Sequence, residues 1–195
     1  MGFVKSNMLD DVACRKQHWR AYFRQARKDY LRAHPLAHEQ AVVNLDRLLA
    51  CFTQPKTVGL YWPLPHELDV TAILRRGNIH DFALPRMRGI SLEFVSFQFS
   101  DPLLKGKFSV MEPQAGDLVD PEIVILPLLG MDHAGVRLGY GAGFYDKTFA
   151  MQPRPLLIGA GFGNQRVRHL PSSDHDVFLD GWVTDTGWQT NNRLL

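Results

Sequence analysis

The sequence predicts an α/β fold, a three-layer α/β/α sandwich around a mostly parallel sheet. Short apolar runs bounded by Gly and Pro alternate with helical patterns along the chain. The run EIVILPLLGMD (122–132) is apolar almost throughout, as a strand buried on both faces would be. With 195 residues, 45% of them hydrophobic and 22% charged, the chain is long enough to fill one core. No linker, repeat or low-complexity tract divides it, so residues 1–195 are read as a single domain.

The first helix is expected from Asp11 to Ala33. At roughly 100° per residue, Val12, Trp19, Phe23, Ala26 and Tyr30 form one apolar stripe, with Lys16, Arg20 and Arg27 along one border. A long cationic side chain at such a border can lay its stem on apolar surface and aim its head into a cleft. After His34-Pro35 a second helix buries Ala41, Leu45, Leu48, Leu49 and Phe52, and Gln54-Pro55 ends it. TVGLYWP (57–63) reads as a buried strand, and Val70 to Arg76 as a short helix closed by Gly77. Strands follow at IHDFALP (79–85) and LEFVSFQF (92–99), the latter with the alternation of one wet face. The 122–132 run supplies the central strand. A glycine-rich loop, a short helix from Phe144 to Met151, a strand PLLIGAGF (155–162) and a last strand around Gly181 to Thr184 complete a Rossmann-like series.

Composition narrows the function classes. No apolar run approaches the roughly 18 residues that cross a bilayer. MGFVKSNML is too short and polar for a secretory signal, and the Gly2…Ser6 match to a myristoylation pattern is too loose to carry weight. Two cysteines, Cys14 and Cys51, make neither a disulfide framework nor a metal cluster. They are expected as small buried side chains in a reducing, cytoplasmic protein. Residues 1–35 hold eight Lys/Arg against three Asp, a local +5 in a chain of net charge +2. A basic helix on a slightly acidic body suits a phosphorylated small molecule, nucleic acid or a membrane surface.

The chemistry concentrates in MDHAGVRLGYGAGFYDKTF (131–149). Gly135, Gly139, Gly141 and Gly143 fall directly after the best strand and before a helix, where bare backbone and unpaired N–H groups can approach a phosphate. Arg137 adds a charged fork, and Asp146 sits where a carboxylate could hold a divalent cation beside those phosphates. The spacing is neither a Walker A loop nor the dinucleotide fingerprint.

RLGYGAGFYD (137–146) resembles the RLGxGxGYYD loop of the 5-formyltetrahydrofolate cyclo-ligases, also called 5,10-methenyltetrahydrofolate synthetases. The likeness extends through the basic first helix, LYWPLPHELD (60–69), LPRM (84–87), LPLLGMDHAG (126–135), LIGAGFGNQRV (157–167) and LPSSDHDVFLDGWVTD (170–185). It implies an enzyme that binds ATP, Mg²⁺ and a reduced folate, and converts 5-formyltetrahydrofolate to the methenyl form. By position it assigns Lys16 and Arg20 to the ATP phosphates, and Arg137, Leu138, Gly139, Tyr140, Gly141, Ala142, Gly143, Phe144 and Tyr145 to the nucleotide. Tyr140 to Phe144 are implied to face folate as well. Asp146 and Asp176 would serve the metal, and Trp62 and Glu67 the folate. Lys16, Arg20 and Arg137 would act electrostatically, with no covalent nucleophile. Ala142 and Phe144 depart from the commoner Gly or basic residue and Tyr. His133 and His175 have no role that one sequence can define. The reading is a monomer without nucleic-acid or membrane partners, since Trp19 and Phe23 read as core rather than as stacking surface. A non-catalytic folate or nucleotide binder on the same fold is the alternative.

Overall fold

The computed structural model describes residues 3–190, so Gly2 lies outside the described residues. Helices α1 (Phe3–Ala33) and α2 (Ala37–Leu49) lead into β1 (Thr57–Gly59). A 3₁₀ turn, Val70–Arg75, precedes β2 (Asp81–Arg88) and β3 (Ser91–Ser96). The short strands β4 (Leu103–Lys105), β5 (Met111–Pro113) and β6 (Leu118–Val119) follow. Next come β7 (Ile123–Pro127), β8 (Gly130–Asp132), β9 (Arg137–Leu138) and helix α3 (Phe144–Thr148). The chain closes with β10 (Leu156–Ala160), β11 (Arg166–Val167), β12 (Gly181–Thr184) and β13 (Gly187–Thr190).

The main sheet has the order β13-β12-β10-β7-β1-β2-β3-β6. Its five central strands are parallel, and antiparallel neighbours β13 on one side and β3-β6 on the other finish the edges. The pleat sorts the apolar run as expected. Ile123 and Ile125 join Val58, Leu60, Ile158 and Ala160 under α2, while Val124 and Leu126 join Ala83 and Leu157 on the opposite face. The two faces are covered unequally. The α2 face carries a full helix and the 70–75 turn, whereas the other is covered by Phe149 after five-residue α3 and by Leu179 of a loop.

The 122–132 run is not one strand. It leaves the main sheet after Pro127, and β8 joins a separate three-stranded sheet, β11-β8-β9. Phe23 of α1 packs there with Leu129, Val136, Leu138 and Leu170. Gly130 makes this seat possible, since a Cβ at that position would collide with the Phe23 ring. Other expected bounds shift too. The first helix begins at Phe3 rather than Asp11, and α3 stops at Thr148. The 70–75 turn is 3₁₀ and ends on extended Arg76 rather than on a Gly77 cap. Cys14 and Cys51 are exposed rather than buried: Cys14 lies on an uncovered face of α1, and Cys51 lies in the turn beyond the end of α2 rather than within it.

Candidate active site

The chain passes from β1 outward to β2, then returns to β7 on the other side of β1. Such a reversal opens a crevice beyond the C-terminal ends of the two strands. A cavity of about 660 Å³ lies here, walled by Tyr61, Trp62, Leu64 and Glu67 beyond β1, by Pro127 at the end of β7, and by residues 137–146. Every candidate residue named for nucleotide, metal or folate lines it: Lys16, Arg20, Trp62, Glu67, each residue from Arg137 to Asp146, and Asp176.

Seating of α1 on the small sheet brings Lys16 and Arg20 over the loop that leaves β9. Arg20 Nε donates to the Gly139 carbonyl at 2.9 Å, and its guanidinium lies against Gly141. Gly141 has φ +107°, which calls for glycine, whereas a Cβ there would stand 3.3 Å from the Arg20 guanidinium carbon and ask that flexible side chain to give only slightly. Ala142 is not among the residues of positive φ, so its methyl is tolerated. Burial, with Arg24 beside it, holds the Arg20 guanidinium below its ordinary pKa, opposed by Asp176.

The cations and carboxylates face one another. Lys16 Nζ donates to Asp176 Oδ1 at 2.7 Å, and Asp176 also accepts the Ser173 N–H. Arg137, buried at 9% exposure, donates to Asp146 Oδ2 at 3.2 Å and to the Pro127 carbonyl. Asp146 Oδ1 accepts the Val177 N–H. Two ion pairs thus line one wall, each pairing a residue expected on phosphate with one expected on metal. The helix expected to aim its dipole here has five residues, so its N-terminus adds little.

The rest of the lining is rich in aromatic side chains and holds one buried acid. Glu67 is 5% exposed. Its Oε2 accepts the Leu64 N–H at 2.7 Å, while Oε1 has no hydrogen-bond partner. Burial pushes the Glu67 carboxyl above the usual carboxylate range, against the nearby Tyr140 hydroxyl, the Leu64 N–H and Arg27. Trp62 lies edge-on to Phe97, and Phe144 edge-on to Phe108. Phe108 is 69% exposed, with φ +56°.

The sequence reading missed Phe108, Val110, Met87 and Leu92, which also line the cavity. Met87 and Leu92 lie on β2 and β3, where strand alternation says nothing of a cavity, while Phe108 and Val110 lie in a segment with no periodicity to announce it. His133 lies in a separate, smaller cavity and exposed His175 lines neither, so the geometry supports neither as a base. No group of three or more His, Cys, Asp or Glu could hold a metal ion among the described residues. Two carboxylates on one wall fit a hard cation that keeps waters and takes phosphate oxygens.

A switch-point cavity with cations on one wall and a buried carboxylate on another defines an α/β protein of anionic small-molecule chemistry. The model of the 5-formyltetrahydrofolate cyclo-ligase family matches residues 12–185, and the chain belongs to that family of ligases. The 5-formyltetrahydrofolate cyclo-ligase of Haemophilus influenzae is 26% identical over 177 residues, covering 85% of this chain and 95% of that protein. The Escherichia coli K12 protein of the same name is 30% identical over 150 residues, 66% of this chain and 77% of its own. The structure of 5,10-methenyltetrahydrofolate synthetase from Aquifex aeolicus matches with TM-score 0.76 at 26% identity, over 90% of this chain and 92% of that one. The Mycoplasma pneumoniae synthetase, at TM-score 0.64 and 20% identity, repeats the fold.

Proposed function

We propose that this chain performs the ATP-dependent cyclisation of 5-formyltetrahydrofolate to 5,10-methenyltetrahydrofolate, releasing ADP and phosphate. The observation that carries the reading is the single cavity at the sheet's switch point, where two ion-paired cations face one buried, half-partnered carboxylate. The formyl oxygen is a poor leaving group, so it first takes the γ-phosphoryl group of ATP. Folate N10 then attacks the activated carbon and loses its proton, and departure of phosphate leaves the methenyl cation. No protein nucleophile is needed. Catalysis comes from aligning the two substrates and from neutralising charge on the transferring phosphoryl group.

In this reading Lys16, Arg20, Arg137 and the 137–145 backbone hold the phosphates, and Tyr140 to Phe144 also face the folate. Asp146 and Asp176 hold Mg²⁺, which supplies charge neutralisation on the phosphates. Lys16 and Arg137 are already poised by those carboxylates, and a phosphate entering between them gives each cation a second anion. Glu67 Oε1 accepts N–H donors of the pterin ring, and Trp62 forms apolar wall beside it. The form proposed is a single-domain monomer acting in the cytoplasm. No helix among the described residues is long and apolar enough to cross a membrane.

The test is direct. Purified protein is mixed with 5-formyltetrahydrofolate and MgATP, and the near-ultraviolet absorbance of the methenyl product is followed. Product that requires both ligands supports the reading. Binding of both without product would leave a folate and nucleotide binder instead.

A further inference from the structure

We propose that Arg27 is a positioning residue for this cavity: buried in α1, it holds the Tyr140 hydroxyl so that the Tyr140 proton is turned toward the unpartnered Glu67 oxygen. The inference rests on the folate reading of Glu67 only for its consequence, not for its geometry.

Arg27 is 5% exposed, which is unusual for a residue that gains nothing from burial unless its charge is answered. No carboxylate forms an ion pair with it among the described residues, and its Nε has no hydrogen-bond partner. Its one side-chain hydrogen bond there runs from Nη1 to the Tyr140 hydroxyl oxygen, at 3.1 Å. Tyr140 belongs to the glycine loop and lines the cavity with Glu67. Burial and the Glu67 charge push the Tyr140 hydroxyl well above its ordinary pKa, so it keeps its proton. With its oxygen accepting from Arg27, that proton is directed away from Arg27. The acceptor left open nearby is Glu67 Oε1, the buried oxygen without a partner. Positive charge, hydroxyl and carboxylate therefore form a relay from helix to loop to cavity, each answering the next.

Other groups around Glu67 do not replace it. Tyr61, beyond β1, donates to the Leu68 carbonyl, and half-buried Tyr145 of α3 has its hydroxyl pKa raised by desolvation and keeps its proton. His38 of α2 feels Arg27 and His66, with burial holding it neutral. Arg27 is the cation in the set.

The experiment is a ¹³C-carboxyl NMR titration of the full chain without ligand, with Glu67 assigned by comparison with Glu67→Gln. Tyr140→Phe and Arg27→Gln should move the Glu67 midpoint up by roughly one pH unit, and Arg27→Lys, which keeps the charge, by less. Folate affinity, measured across pH, should be lost on acidification at a correspondingly higher pH in the first two variants. Tyr140→Phe removes one oxygen from a partly exposed ring, so it reports even where Arg27 variants do not fold. An unmoved Glu67 midpoint in folded Tyr140→Phe overturns the inference. If the midpoint moves but Glu67→Gln binds folate normally, the relay stands and the folate role of Glu67 falls.

Discussion

Glu67→Gln exchanges one oxygen of the cavity wall for an amide nitrogen and removes one buried charge. The Leu64 N–H bond at 2.7 Å survives, because the Gln carbonyl can take it. The change is thereby confined to the position of Oε1, a buried oxygen that no hydrogen bond holds, in a residue that lines the cavity. An amide there presents donors to the pterin donors. Losing a charge-assisted hydrogen bond should cost about 1.5–3 kcal/mol, or roughly 10- to 150-fold in folate affinity. Stability should move the other way. Burial raises the Glu67 carboxyl above its ordinary value of 4.5, so the native state holds that proton more tightly than the unfolded chain. The parent therefore loses stability as pH rises from that value through the raised native one, and the penalty stays in full above it. Gln carries no such penalty, so the variant should melt at or above the parent temperature at neutral pH, with the gap closing in acid. Calorimetric titration with folate and ATP separately, beside thermal melts at two pH values, checks both signs. Unchanged folate affinity in a folded variant would refute the assignment of Oε1.

Other predictions are independent of that residue. Asp146→Asn keeps an acceptor for the Val177 N–H but removes the charge paired with Arg137, so MgATP-dependent turnover should fall roughly 100-fold or more while folate binding without ATP barely changes. Equal loss of both in a steady-state and binding assay would make Asp146 a structural residue. Gly130→Ala drives a methyl into the buried Phe23 ring and should destabilise the fold by about 1–3 kcal/mol in denaturant melts. Cys14 and Cys51 should both react rapidly with a colorimetric thiol reagent in the native protein, since each is exposed.

Much of the site was legible because it is local. Lys16 and Arg20 are four residues apart, so any helix through them presents both on one side. The glycine loop runs from β9 straight into α3, and its neighbours in sequence remain its neighbours in space. Strand identity was likewise carried by apolar runs such as 123–127, whose alternate residues serve two faces.

What periodicity could not carry is which surface meets which. The apolar run through 128–132 reads as strand to its end, yet Pro127 is the last residue of β7 and β8 turns to a second sheet whose partners lie elsewhere in the chain. Cys14 sits on α1 and Cys51 in the turn just past α2, but burial belongs to whatever covers a surface, and both are exposed. Lys16 meets Asp176 across 160 residues, and Arg27 meets Tyr140 across 113. The chain by itself determined its main helices, most strands of the central sheet and the charge-bearing stretches of its cavity, because helical and strand repeats are set by residues a few positions apart. Short strands such as β4, β5 and β13 carried no such repeat. Only the tertiary structure decided that Arg27 is buried, that Glu67 keeps one oxygen open, and that cations and carboxylates pair. Those depend on the crossover from β2 back to β7 and on α1 seated against Gly130, contacts between residues that no local repeat relates.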